Sequence, residues 1–265
     1  MSDGKLVRNR ILQALVEAFE PLEHVHAFYE GGAAAFNRVD EWSDIDVYIV
    51  VDDDKVEDTF LVFEKTLKSL SPIKQKYRLP QPPYPGVYQA FYRLEDASDF
   101  LLLDLAVLQA TSSDKFLEPE IHGNVVFHFN RSRDVCCTPI DKDALTRKII
   151  ERLPKLKARF DMFNCFVQKE INRGNSLEAL DLYHILALGS LVEALRIKHN
   201  PFHYDFKMRY VHYELPPKIV QRLERLSFVK DSEDLRRKYR KVTQWFYKVI
   251  SEIDEKSVKR LISKA

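Results

Sequence analysis

The sequence contains few residues of the kinds that build disulfide-rich or membrane-spanning proteins. Its 265 residues include three cysteines and seven glycines, and no window approaches eighteen consecutive apolar residues. Cys136 and Cys137 are adjacent and Cys165 stands alone in an apolar helical pattern, which is neither a disulfide framework nor a zinc-binding spacing. The chain does not start with an apolar secretory segment, so we expect a cytoplasmic protein with reduced, mostly structural thiols and no membrane association.

Neither sign of charge predominates in the whole chain. The formal net charge is +1, which argues against a protein that works by coating nucleic acid. The average hides an asymmetry, because residues 1–140 contain 14 Lys/Arg and 23 Asp/Glu, whereas residues 141–265 contain 27 and 17. Two interpretations stay open: two solvated surfaces of opposite sign, or a cleft with cation-binding carboxylates on one wall and anion-binding Lys/Arg on the other.

Apolar periodicity in the first half predicts an α+β domain. Helical patterns occupy 5–20 and 55–70, and short β-type runs occupy 24–30, 45–51, 87–94, 100–108 and 124–129. We therefore predict an α+β domain at 1–140, with a mixed sheet of about five strands flanked by helices. Five prolines and a glycine between residues 72 and 86 predict a stiff surface loop there.

Beyond residue 140 the periodicity is helical. Helices are predicted at 141–172, with a kink or break at Pro154, and then at 176–198, 216–228, 231–253 and after 255. These segments predict a C-terminal α-helical bundle at 141–265, which would bind a substrate or a partner.

Three aspartates are the candidate catalytic and metal-binding residues. Asp44 and Asp46 open the strand at 45–51 and, two residues apart, face the same side of the sheet. Asp104 stands in FLLLDLAVL, where apolar neighbours predict that it is buried. A buried carboxylate requires a cation or a basic partner. If the two strands are adjacent, the three carboxylates surround one point that suits one or two Mg²⁺ ions. A salt bridge from Asp104 to a core arginine such as Arg93 is the structural alternative.

A glycine pair precedes the first two aspartates. Gly31 and Gly32 follow a β-type run and precede a short helix start, so a phosphate could approach bare backbone and contact N–H groups there. A cation site and an anion site would then be adjacent.

These motifs together resemble the polymerase-β-type nucleotidyltransferase superfamily. The glycine pair, the Asp44-Ile45-Asp46 motif and the distant Asp104 carry the resemblance, and the appended helical bundle is most similar to the aminoglycoside and lincosamide nucleotidyltransferases. The resemblance implies that Asp44 and Asp46 bind two Mg²⁺ ions that hold a nucleoside triphosphate, and that Asp104 completes the catalytic site. Gly32 stands where the family has a serine, so triphosphate contacts would come from backbone N–H groups and Ser43.

The function implied by the resemblance is Mg²⁺-dependent transfer of a nucleoside monophosphate, AMP from ATP, to a hydroxyl group of a small acceptor, with release of pyrophosphate. Lys207 and Arg209, in the basic and aromatic segment 204–218, are candidates for triphosphate and acceptor contacts, although a solvated loop between helices explains that segment equally well. Asp104 or Glu193 is a candidate general base.

Two alternatives to a small-molecule nucleotidyltransferase stay open. One is an RNA-end or tRNA-end nucleotidyltransferase, which shares the carboxylate site but needs a basic surface for nucleic acid; steep salt dependence of RNA binding would identify it. The other is a catalytically weak regulatory or antitoxin-like protein, which the glycine at position 32 suggests.

Overall fold

The computed structural model describes residues 6–264, which form a six-stranded sheet followed by helices. The chain divides into two compact units, the first ending at Pro139 and the second beginning at Ile140. The elements of the first unit are, in chain order, α1 (Arg8–Phe19), β1 (Val25–Glu30), α2 (Gly32–Ala35), β2 (Ile45–Val51), α3 (Val56–Leu70), β3 (Ile73–Arg78), β4 (Val87–Leu94), β5 (Leu103–Gln109), α4 (Pro119–His122) and β6 (Val126–Asn130).

The sheet is mixed. Its strand order is β3-β4-β5-β2-β1-β6, with β2 and β5 parallel and the other neighbours antiparallel. The crossover between the parallel strands β2 and β5 includes α3, which packs on the sheet. The predicted α+β class with a mixed sheet is confirmed, and the sheet has six strands rather than five.

Strand alternation separates a core face from a face that carries polar groups. Ile45, Val47 and Ile49 of β2 are fully buried in a cluster with the apolar sides of α1 and α3. Each such side chain contributes about 1.5–3 kcal/mol through burial. The intervening residues, Asp46 and Tyr48, point to the opposite face, so the core positions fix which side the carboxylates occupy.

The strand that was not predicted is β3, which occupies the first part of the loop predicted at residues 72–86. Ile73–Arg78 pairs with β4 alone and lies at the edge of the sheet. Its four inner residues are exposed, so it lacks the apolar alternation that marks a half-buried strand. Its exposed lysines are typical of an edge strand, and the prolines from Pro80 onward follow the strand rather than interrupt it.

The second unit is helical. Its elements are α5 (Lys142–Phe163), α6 (Cys165–Arg173), α7 (Ser176–Leu182), a π-helical turn (Tyr183–Leu188), α8 (Gly189–His199), a 3₁₀ turn (Pro201–His203), α9 (Val211–Glu214), α10 (Pro217–Ser227), α11 (Ser232–Ser251) and α12 (Glu255–Lys264). Its core is a single apolar cluster with Leu191, Leu195 and Phe246 fully or almost fully buried. No helix in residues 6–264 combines the length and apolar character needed to cross a bilayer.

Of the kink or break predicted at Pro154, the break lies elsewhere. Helix α5 continues past Pro154 to Phe163, and the break falls at Asn164. The hydroxyl of Tyr239 donates to the Asn164 carbonyl at 3.0 Å, and the Asn164 amide donates to Thr243 at 3.3 Å. These two hydrogen bonds tie the break to α11.

A buried ion network holds the segment that follows α8. Arg196 is fully buried and donates to the carbonyl of Lys207 at 2.7 Å, to the carbonyl of Arg209 and to the Glu214 carboxylate at 2.6 Å. His203 contacts the other oxygen of Glu214 at 2.7 Å. Burial opposes ionisation of Glu214, but its hydrogen bonds from His203 and Arg196 prevail and hold its pKa below the ordinary value.

All three cysteines are free and exposed. Cys165 is the first residue of α6 and faces outward. The prediction of mostly structural thiols is therefore wrong, because none of the three side chains packs in a core.

Candidate active site

Two of the three predicted aspartates face each other across neighbouring strands. Asp46 on β2 and Asp104 on β5 are direct partners in the parallel register, so their side chains project from the same face of the sheet. Each lies near the N-terminal end of its strand and is partly exposed. The residues around them on the strands are apolar and buried, which gives the two carboxylates a rigid base.

The glycine pair lies against this carboxylate pair. The N–H of Gly31 donates to the Asp46 carbonyl at 3.0 Å. Gly32 has φ +53°, and a Cβ there would lie 2.5 Å from the Asp46 carboxyl carbon and closer still to Oδ2. A Cβ at Gly31 would lie 2.7 Å from the Tyr48 ring. Both glycines therefore let the backbone approach side chains of β2 more closely than any other residue permits.

The steric position of Gly32 gives a reason why this chain has glycine where the nucleotidyltransferase motif has serine. A serine needs a Cβ, and at this position the Cβ would collide with Asp46. The left-handed backbone conformation also disfavours a side chain by about 1–2 kcal/mol. The glycine is thus part of how this chain packs its carboxylate pair.

Asp44 and Ser43 lie in the turn that precedes β2. The Ser43 hydroxyl donates to Asp40 at 2.7 Å and accepts from the Asp40 N–H at 2.9 Å, so this hydroxyl shapes the turn. The guanidinium of Arg8 donates to the Asp44 carbonyl. Helix α1 thereby fixes the backbone from which Asp44 projects.

A buried charged cluster that the sequence analysis missed supports this turn. Arg8 forms an ion pair with Glu30, and His128 contacts the same carboxylate at 2.9 Å. The Glu30 side chain is only 6% exposed, and it lies on the α1 side of the sheet, opposite Val47 in the register. A glutamate at the end of the apolar run HVHAFYE is the one sequence signal that could have indicated it.

Asp104 has a different environment from the predicted one. Asp104 is the second residue of β5 and is partly exposed. The predicted apolar run began at Phe100, but Phe100 precedes the strand and is 62% exposed. Its Oδ1 accepts from the Gln89 amide at 2.7 Å. Arg93 is exposed and pairs with Gln75 across the sheet edge. The prediction of a buried Asp104 is therefore wrong, and one contact that orients its carboxylate is the hydrogen bond from Gln89.

The carboxylates of Asp46 and Asp104 suit a magnesium ion, which does not need a complete set of protein ligands. Within residues 6–264, no group of three or more His, Cys, Asp or Glu side chains is arranged to hold a metal. Mg²⁺ characteristically takes one or two carboxylates and fills its other positions with water and substrate phosphates. Asp46 and Asp104 supply hard oxygen donors from one face, next to backbone that no Cβ covers. The donor set is thus of the type that the ion prefers.

The other predicted residues belong to the second unit. A cleft of about 520 Å³ there is lined by residues that include Lys207, Arg152 and Glu193. Arg152 binds the Glu193 carboxylate through two hydrogen bonds, at 2.6 and 3.0 Å. The Arg209 guanidinium lies 4.7 Å from the centroid of the Tyr210 ring. Glu193 is therefore committed to an ion pair, which disfavours its predicted role as a general base.

Comparisons with known proteins return structural neighbours only. No protein-family model matches the chain, and no curated protein matches it. An aminoglycoside 6-adenyltransferase from Bacillus subtilis is 15% identical with a TM-score of 0.38, over 96% of this chain and 91% of that one. A STING-associated CdnE c-di-GMP synthase from Capnocytophaga granulosa is 16% identical with a TM-score of 0.32, over 93% and 81%.

These neighbours are of the nucleotidyltransferase type that the motifs resemble. The degree of similarity is low, and it does not specify a nucleotide, a metal or an acceptor for this chain.

Proposed function

We propose that the protein transfers a nucleoside monophosphate, AMP from ATP, to a hydroxyl group of a small acceptor and releases pyrophosphate. One observation carries this proposal: Asp46 and Asp104 are direct partners on parallel strands, with Gly32 against the Asp46 carboxylate. Such a pair of carboxylates beside uncovered backbone provides a cation site and an approach for phosphate in the same place.

Asp46 and Asp104 would hold the magnesium, whereas Asp44, predicted as a third ligand, lies in the turn before β2 and forms no three-carboxylate group with them in the described residues. The bound ion would neutralise the charge of the triphosphate and of the departing pyrophosphate. Gln89 orients Asp104 through its hydrogen bond, and Arg8 anchors the turn that carries Asp44. These fixed contacts position the carboxylates before substrate arrives, which is the main source of rate enhancement in this type of chemistry.

The transfer itself requires one bond to form and one to break. The acceptor oxygen attacks the α-phosphorus, the bond from that phosphorus to the bridging oxygen breaks, and the electron pair leaves with pyrophosphate. The proton of the acceptor hydroxyl passes to a base. Asp104 is our candidate, because the alternative, Glu193, is bound to Arg152.

Gly32 also bears on the regulatory alternative. That alternative depends on the loss of a serine, but the collision with Asp46 gives the glycine a steric role in the carboxylate site. A glycine with a steric role beside Asp46 is not by itself a sign of lost activity. The proposal therefore favours an active enzyme.

Asp46→Asn and Asp104→Asn test the proposal. The purified protein is incubated with Mg²⁺ and each labelled triphosphate against aminoglycosides, lincosamides, RNA and protein. Asp54→Asn is the matched control, since Asp54 is an exposed carboxylate just after β2. We expect the first two variants to lose at least about 100-fold in transfer and to keep their thermal stability, while the control keeps both.

Two outcomes would overturn this assignment. Equal transfer by the wild type and both carboxylate variants would show that the site is elsewhere. Triphosphate binding without transfer to any acceptor, measured by calorimetry on the wild type, would favour the regulatory alternative.

A further inference from the structure

The second unit has a basic groove that the proposed transfer reaction does not use. It consists of two adjoining clefts, of about 530 and 420 Å³, that share Arg222 and are lined by residues of α8, α10 and α11. Eight Lys/Arg side chains line the two clefts, against two carboxylates, Asp234 and Glu252. We call this surface the basic groove.

The cations of the basic groove form rows along two helices. On α10, Lys218, Arg222 and Arg225 recur at helical spacing and share one face. On α11, a second row runs from Arg237 to Lys248. At 1.5 Å per residue the rows are about 10 and 16 Å long, so each row can contact more than one phosphate of a nucleic-acid strand.

Much of this positive charge has no carboxylate against it. Within residues 6–264, Asp234 pairs with Arg237 and Lys238, and Glu252 pairs with Lys198. Arg222 instead lies over the Trp245 ring at 3.8 Å, and burial lowers its pKa. The remaining cations of the groove are exposed and can contact an anion from outside the chain: Lys218, Arg225, Lys241 and Lys248.

An exposed aromatic ring adjoins the charged rows. Phe228 follows the last residue of α10 and is 79% exposed. Its carbonyl accepts a hydrogen bond from Lys238, which lines the basic groove. A positively charged groove that tracks a backbone, with an aromatic side chain beside it on which a base can stack, is the arrangement that binds single-stranded nucleic acid.

We propose that the basic groove binds a single-stranded nucleic acid, with backbone phosphates on the rows of α10 and α11 and a base stacked on Phe228. The length of the rows favours a chain of phosphates over a single small anion. The exposed ring favours unpaired bases, because the bases of a duplex are already stacked on one another. This inference is independent of the carboxylate site in the first unit.

Binding of labelled 12-nucleotide single strands of RNA and DNA, followed by fluorescence anisotropy from 50 to 300 mM salt, tests this inference. The test variant is Arg225→Gln/Lys241→Gln, which removes one cation from each helix. The matched control is Lys256→Gln/Arg260→Gln, which removes one Lys and one Arg from exposed positions of α12 outside the groove. Circular dichroism checks that each variant is folded.

We expect the wild type to bind, and the slope of log affinity against log salt to fall by about 1.4 in the test variant, since each phosphate contact in a single strand contributes about 0.7. The control should keep the wild-type slope. Phe228→Ala should weaken oligonucleotide binding by about fivefold or more and leave the binding of inorganic polyphosphate unchanged.

Several outcomes would overturn the inference. They are no binding of either strand at 50 mM salt, equal losses in the test and control variants, tighter binding of a duplex of the same length, or an unchanged affinity in Phe228→Ala. Asp46→Asn should bind the strands as the wild type does, so failure of the proposed transfer activity would not affect this result.

Discussion

Replacing Gly32 with alanine tests the central contact of the candidate active site. The structure places Gly32 at φ +53° with its missing Cβ 2.5 Å from the carboxyl carbon of Asp46. Carbon atoms in contact normally lie about 3.5–4.0 Å apart. An alanine therefore requires a shift of about 1 Å or more, either of the Asp46 side chain or of the loop that carries Gly32.

The expected magnitude has two parts. A non-glycine residue in the left-handed conformation destabilises the fold by about 1–2 kcal/mol, and each kcal/mol lowers Tm by about 2–4 °C in a chain of this size. Displacement of a catalytic group by about 1 Å decreases the rate about 100-fold. We expect Gly32→Ala to lower Tm by more than backbone strain alone explains and to lose nearly all transfer activity.

Gly174→Ala is the matched control for backbone strain. Gly174 ends α6 at φ +80°, and a Cβ there would meet no atom within 4 Å. Differential scanning fluorimetry and the transfer assay are carried out on both variants. Gly174→Ala should show the strain alone, with a small fall in Tm and wild-type transfer. Gly32→Ser should behave like Gly32→Ala, although it introduces the serine of the nucleotidyltransferase motif.

The comparison between the two variants can refute this reasoning. If Gly32→Ala matches Gly174→Ala in both Tm and transfer rate, then Gly32 does not lie against the Asp46 carboxylate. If Gly32→Ser raises the transfer rate, then the glycine is a lost phosphate contact rather than a steric adaptation.

Three further predictions concern the buried charges. Glu30→Gln leaves Arg8 without its carboxylate and should lower the free energy of unfolding, measured with urea, by about 3 kcal/mol. The control Lys74→Gln breaks an exposed ion pair and should change that free energy by less than about 1 kcal/mol. Equal effects of the two variants would refute the buried pairing. Glu214→Gln leaves the fully buried Arg196 unpaired and should cost about 3–5 kcal/mol in the same assay, and a loss below about 1 kcal/mol would contradict this. Because the pKa of Glu214 is held below its ordinary value of 4.5, its ionised form stabilises the fold above about pH 4.5, and that stability is lost as the pH falls through the lower folded-state pKa. Circular dichroism from pH 6 to 3 should show this loss in the wild type and a flatter profile in the glutamine variant, and parallel profiles would refute it.

Sequence patterns located the strands and helices whose buried face appears as a regular spacing of apolar residues. The alternation in IDVYIVV predicted β2 with the bounds that the structure has, and the periodicity at 55–70 predicted α3 to within a residue. The same alternation correctly placed Asp46 on the face opposite Ile45 and Val47. A pattern of this kind is reliable where one face is buried, because burial selects apolar residues at every second or every third to fourth position.

Other features escaped the sequence analysis because their determinants are distant in the chain. The edge strand β3 has exposed side chains on both faces, so its backbone pairing with β4 leaves no apolar signal. The contact between Glu30 and His128 joins residues 98 positions apart, and the carboxylate of Asp104 accepts a hydrogen bond from Gln89 on the neighbouring strand, 15 positions earlier in the chain.

The sequence by itself determined the α+β class, the helical second half and the side of β2 on which its carboxylate lies, since these follow from spacing between near neighbours. Only the tertiary structure decided that Asp46 and Asp104 are direct partners, that Gly32 leaves room for a carboxylate, and that basic rows from two helices line one groove. Each of these depends on strand register or helix packing, which is set by contacts between residues far apart in the chain.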